Sequence, residues 1–171
     1  MLTEKDKKFL LNLSRALIEN KESNLSDIPQ NLLQKASTFI TILSNEKDPY
    51  SVGSLNTNIE LYQDVMDHSI SLSNEIKNPE EIKIEISVIK NMQKLSFDSE
   101  EDLFRKIIPN IHGVVIKKEN KLATLLPFVW AQIPDKREFL NQICKKMGLH
   151  EDSWKENADI LVYEAETFRE L

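Results

Sequence analysis

One thiol, three imidazoles, an acidic triplet and one hydroxyl-rich segment are the groups in this chain whose types could carry a reaction. Cys144 is the lone cysteine, so no internal disulfide can form, a Cys-rich zinc module is excluded, and a reducing compartment is expected. A thiol becomes a nucleophile when a base or positive charge lowers its pKa. Cys144 has no sequence-adjacent activating base and falls on the apolar stripe of a helix, so it reads as a small, inert core residue. Lys145 and Lys146 could seed a phosphate site, but two lysines in a last helical turn are what the helix dipole favours. His68, His112 and His150 are far apart and lie in neither an HxxxH nor an HxH spacing, so no metal site is expected. Glu100, Glu101 and Asp102 form the acidic first turn of a helix, and nothing more. The segment Tyr50-Ser51-Val52-Gly53-Ser54 lacks the glycine two before its serine and sits in a strand, so it is not a nucleophile elbow. Three glycines in the whole chain leave no loop to cradle phosphates, so neither ATP nor a dinucleotide is expected as a cofactor.

The elements that must position these groups are legible from periodicity. Gly113 to Trp130 is the stretch around which the rest is organised. Val114, Val115 and Ile116 are β-branched, Lys117 to Lys121 is too polar to bury, and Leu122, Leu125 and Leu126 resume an apolar run, which predicts a β-hairpin with Asn120 supplying the positive φ of its turn. Pro127 has no amide to give a ladder, so the strand should stop there, with Phe128, Val129 and Trp130 folding back as a helical turn. Upstream, Thr3 caps a helix to about Asn20 that packs on Phe9, Leu10, Leu13, Ala16 and Leu17 and leaves Lys7, Lys8, Asn12 and Arg15 in solvent. Thr38–Leu43 and Tyr50–Leu55 form a first hairpin around a turn at Asn45 to Asp48. Asn58 caps a second helix with a stripe of Leu61, Tyr62, Val65, Met66, Ser69, Ile70 and Leu72. Ile82, Ile84, Ile86 and Val88 alternate with polar residues, the pattern of an antiparallel strand with one wet face. Ser99 starts a short helix. Asp135 caps a longer one carrying Phe139, Leu140, Ile143, Cys144 and Met147, ended by Gly148, and Asp159 to Phe168 is a last strand.

The totals set bounds. A chain of 171 residues with 40% hydrophobic and 29% charged residues is of ordinary single-domain size and composition, and no repeat or low-complexity linker divides it. No apolar run is long enough to span a bilayer, and the first residues show no apolar leader, so a cytoplasmic protein is expected. The net charge of −6 disfavours nonspecific nucleic-acid binding.

From Leu122 to Trp154 the chain closely resembles the AMMECR domain family, known as AmmeMemoRadiSam system protein A. The family's spacing is met at Thr124, Leu126-Pro127, Val129-Trp130, Pro134-Asp135, Glu138-Phe139-Leu140, Cys144 and Gly148-Leu149. Segments starting at Leu2, Phe39 and Ile82 are also similar, so the likeness covers nearly the whole chain. It implies an α+β fold over residues 1–171: a single domain with an antiparallel sheet flanked by helices, two unequal lobes, and N- and C-terminal segments that come together.

The chain departs from the family in its best-known segment. Where the family has Leu-Arg-Gly-Cys-Ile-Gly, this chain has Asp48-Pro49-Tyr50-Ser51-Val52-Gly53, so the arginine, the first glycine and the cysteine are gone. The family's Asp-x-Arg-Phe segment is also missing from Leu72 to Glu81. The motif surface is then Tyr50, Ser51, Gly53, Ser54, Thr124, Pro127 and Trp130, with Ser51 as the candidate nucleophile. The resemblance implies partners of Memo-like and radical-SAM type. Losing both an anion-binding fork and the best neutral-pH nucleophile favours a protein-binding, non-catalytic or weakly catalytic component. The alternative is an enzyme acting on a small substrate, or on a macromolecule such as RNA, through a cleft near Ser51 and Thr124.

Overall fold

The structure, a computed structural model, describes residues 1–23, 25–45, 48–55 and 58–171. Its chain contacts separate into two units, Met1–Ile89 with Glu166–Leu171, and Lys90–Ala165. Six strands lie in the order β2-β1-β3-β6-β4-β5: β1 Thr38–Ser44, β2 Tyr50–Gly53, β3 Ile82–Lys94, β4 Gly113–Lys118, β5 Lys121–Leu125 and β6 Asp159–Arg169. The sheet is antiparallel and the fold is α+β. Both β3 and β6 contribute residues to each unit.

In the first unit, α1 (Glu4–Ile18) opens with a reciprocal cap. The Asp6 N–H donates to Thr3 Oγ1 at 3.2 Å and the Thr3 N–H donates to Asp6 Oδ2 at 2.8 Å, which satisfies two otherwise orphaned amides. The apolar positions of α1 and α2 (Leu61–Ser73) close over one sheet face, where Leu10, Ile18, Leu61, Val65 and Leu72 pack with Ile40, Ile42, Ile84 and Ile86. The period of two along each strand sends those isoleucines to a single side. Arg15, expected in solvent, is instead a half-buried clamp. Its guanidinium donates in two places to the Glu170 carboxylate and also to the carbonyls of Pro79 and Ile82. The fork geometry of arginine favours this use, and helical periodicity cannot anticipate a partner 155 residues away.

Other elements differ from expectation in detail. The second helix starts at Leu61 with Glu60 as an N-cap that makes no side-chain bond, so Asn58 is not its cap. Ile70 is 46% exposed rather than part of the packed stripe, while Asp64 takes a buried place on that helix. Strand β2 stops at Gly53, and β3 runs six residues past Val88, to Lys94. The turn expected at Asn45 to Asp48 includes Glu46 and Lys47, which lie outside the described residues.

In the second unit, β4 and β5 pair from Val114↔Leu125 to Lys118↔Lys121, leaving a two-residue turn. Its positive φ of 55° falls on Glu119, not Asn120. Mirror-type hairpin turns impose that sign at their first central position, and the strand twist outweighs the preference of asparagine. The short helical turn Pro127–Ala131 and helix α4 (Lys136–Lys146) pack on β4 and β6 through Trp130, Phe139, Ile143, Cys144, Val114 and Ile160. Gly148 follows α4 at φ 69°, and the Leu149 N–H returns to the Cys144 carbonyl at 3.0 Å. Between β3 and β4 lies α3 (Glu100–Lys106), capped by Ser99.

Candidate functional site

The register of β1 and β2 separates the two motif residues of greatest interest. Tyr50 pairs with Ile42 and Ser51 with Thr41. Ile42 belongs to the core beneath the helices, so Tyr50 stands on the helix side of the sheet and Ser51 on the other.

On the helix side, Tyr50 is 38% exposed. It forms part of the wall of a cavity of about 620 Å³ that lies past the C-terminal end of α2. Ile42, Ile76 and Ile82 give the cavity apolar walls, and among the described residues Asp48, Glu75, Glu81 and Lys77 are the charged groups lining it. Burial pushes the Tyr50 phenol up, and the charge of Glu75 adds to the shift.

On the opposite face, the Ser51 hydroxyl lies 2.8 Å from that of Thr41, which is fully buried. A serine needs a base to become a good nucleophile, and this partner is a second alcohol. Thr41 pairs across its other edge with Glu85. Burial pushes the Glu85 carboxyl up, against the pull of Arg169. The Glu170 N–H donates to the Ile84 carbonyl and the Ser87 and Thr167 hydroxyls meet at 2.9 Å, which places Arg169 opposite Glu85 on β6. Ser51, Thr41, Glu85 and Arg169 therefore form a polar row across four strands.

The other motif residues are held by packing. A Cβ at Gly53 would lie 2.4 Å from the Phe39 ring and from the Thr38 carbonyl, so the close approach of β1 requires glycine there. The Ser54 hydroxyl points to Asp64 Oδ1 at 3.4 Å. Asp64 also accepts from the Thr38 N–H at 2.7 Å and the Thr38 hydroxyl at 2.6 Å, and His68 Nε2 lies 3.4 Å away. Burial works against the Asp64 charge, but nearby His68 and the bonds from Thr38 outweigh it and hold the carboxyl below the usual range. This latch ties α2 to β1.

Thr124 belongs to the second unit, where its hydroxyl donates to the Val114 carbonyl at 2.8 Å and lies 2.9 Å from the Tyr163 hydroxyl. Pro127 opens the short helical turn. Trp130 stacks on Phe139 with ring centroids 3.6 Å apart and donates from Nε1 to the His112 carbonyl at 2.7 Å. His112 is mostly buried, which lowers its pKa, and its Nδ1 accepts from the Ile108 N–H. Cys144 is fully buried, and burial pushes its thiol up, away from the reactive thiolate. Lys145 pairs with Glu151 at 2.8 Å, and Lys146 donates to the Thr124 carbonyl. Among the described residues no group of three His, Cys, Asp or Glu side chains could hold a metal ion. The features missed by sequence reasoning are Glu75, Glu81 and Lys77 around Tyr50, and Glu85 beside Thr41. Their residue types were visible, but the meeting of a hairpin with a helix end 25 residues later left no periodic signal.

These features define an α+β protein built on an antiparallel sheet. The AMMECR1 family model matches residues 11–168, and the chain belongs to that family. Among its relatives, Protein MK0488 of Methanopyrus kandleri is 30% identical over 191 residues, spanning 99% of this chain and 90% of that one. Protein Mbar_A1807 of Methanosarcina barkeri is 26% identical, spanning 99% and 93%. The fold is similar to the crystal structure of uncharacterized protein PH0010 from Pyrococcus horikoshii, with a TM-score of 0.86 at 23% identity, covering 99% of this chain and 93% of the other.

Proposed function

We propose that this AMMECR1 family member is a protein-binding component of a modification system, docking a partner at the cavity beside Tyr50. The observation that carries this reading is the placement of Tyr50: an exposed aromatic in a concave wall, while Ser51 faces away and is bonded to a second alcohol. Tyrosine combines a rigid apolar ring with a polar tip, which is why interfaces are enriched in it. The family resemblance supplies the partner class, a Memo-like or a radical-SAM protein.

A second reading has one observation in its favour. Glu85, whose carboxyl burial pushes up, stands two strands from Ser51 with the Thr41 hydroxyl between them, so a proton path from that serine to a base would run through Thr41.

Co-purification with the Memo-like and radical-SAM proteins separates the two. Tyr50→Ala should reduce capture of the partner about tenfold or more, the loss typical of an interface hot spot, while Ser51→Ala leaves it unchanged. Loss of a turnover in Ser51→Ala with capture intact would overturn the docking reading.

A further inference from the structure

We infer that the cavity beside Tyr50 receives an arginine side chain presented by the docked partner. This rests on the docking reading and names the chemistry the partner must bring.

Charge complementarity gives the sign. Among the described residues, three acids, Asp48, Glu75 and Glu81, line the space together with one lysine, Lys77. Glu81 already accepts from Asn78 Nδ2 at 3.0 Å. Asp48 and Glu75 are exposed and, among the described residues, have no such protein donor, so both are open to a donor brought by a partner. No group of three or more His, Cys, Asp or Glu side chains among the described residues could hold a metal ion.

The remaining lining selects among cations. Ile42, Ile76 and Ile82 offer an apolar bed for a methylene stem, which long charged side chains bury while keeping their heads polar. The exposed Tyr50 ring offers a face for stacking, and a planar guanidinium stacks on aromatic rings while its fork of five donors reaches several acceptors at once. An ammonium is a compact point charge and uses fewer of these groups. About 620 Å³ lies within the range of roughly 300–1,000 Å³ usual for ligand pockets, and exceeds what one arginine side chain fills. A cation seated against Glu75 would also cancel part of the field that raises the Tyr50 phenol, so occupancy should lower that pKa.

The test titrates the full-length isotope-labelled protein with L-argininamide, L-lysinamide and L-citrullinamide, following backbone resonances. Argininamide should shift Tyr50, Glu75 and Ile82 selectively, and citrullinamide, its uncharged near-isostere, should bind about tenfold more weakly. Asp48→Asn and Glu75→Gln should each weaken argininamide about two- to fivefold, with the effect shrinking as salt rises. Citrullinamide or lysinamide binding as well as argininamide would overturn the inference, as would unchanged affinity in the Asp48→Asn/Glu75→Gln double variant. Partner capture adds the control on the underlying reading. Capture lost in Tyr50→Ala but intact in the double variant leaves docking standing and removes the arginine. Capture indifferent to both removes docking, and with it the assignment of any bound cation to a partner.

Discussion

Glu85 illustrates how one side chain on a sheet face can oppose folding and still be informative. Desolvation favours its uncharged form, so its folded pKa lies above the ordinary value of 4.5. A carboxyl shifted in that direction contributes stability that is fully present below 4.5 and is lost as pH rises through the folded value. Glu85→Gln should therefore raise the urea midpoint at pH 7 and leave it nearly unchanged at about pH 4, where both side chains are neutral. A midpoint that falls at pH 7 would show that the charge of Glu85 is used in the fold, as a partner of Arg169. Asp64 has the opposite sign: its lowered pKa adds stability above the ordinary carboxylate value, lost as pH falls through the folded one. Two acids on neighbouring elements thus pull the acid limb of the stability curve in opposite directions.

At the scale of elements, the turn from Pro127 to Ala131 and helix α4 act as one packing unit. Trp130 leads into α4, stacks on Phe139 and closes its indole N–H on the His112 carbonyl. Trp130→Ala should cost about 3–5 kcal/mol in urea unfolding, since it removes a buried aromatic and leaves a cavity. A loss under 1 kcal/mol would mean that Phe139 and Ile143 collapse into the space. The hairpin β1–β2 works differently, because its two faces have separate uses. A one-residue shift in its register would exchange Tyr50 and Ser51 between faces, so the pairing of Thr41 with Ser51 underlies both functional readings.

At the scale of the molecule, the two ends of the chain meet in the first unit. Arg15 on α1 holds Glu170, and Glu170 in turn accepts from the Ile84 N–H at 2.8 Å. This matches the convergence of termini that the family resemblance implied. Arg15→Ala should cost about 2 kcal/mol, the scale of hydrogen bonds to charged groups. It should also raise hydrogen exchange at Ile84 and Glu170 ahead of the rest of the sheet. Uniform exchange across all strands would instead assign Arg15 to global stability alone.

Much of the fold was decided locally and could be read from the residues. The alternation from Ile82 to Val88 marked a strand with Ile84 and Ile86 on its core face, although the face expected to be wet is largely covered, with Ser87 buried and Glu85 half-buried. The caps at Thr3, Ser99 and Asp135 marked three helix starts and Gly148 a helix end, because each signal is complete within one turn or one strand. The family likeness was carried by the spacing from Thr124 to Leu149. The resemblance pointed to Tyr50 and Ser51 as a candidate segment. What it could not decide was which way each faces and what each meets, since a strand alternates its side chains regardless of which side becomes the core. Only the tertiary structure placed Tyr50 beside Glu75 and Glu81, Ser51 in a row with Thr41 and Glu85, and Arg15 on Glu170. Those contacts join residues from 10 to 155 positions apart, and no local periodicity encodes a partner at such a distance.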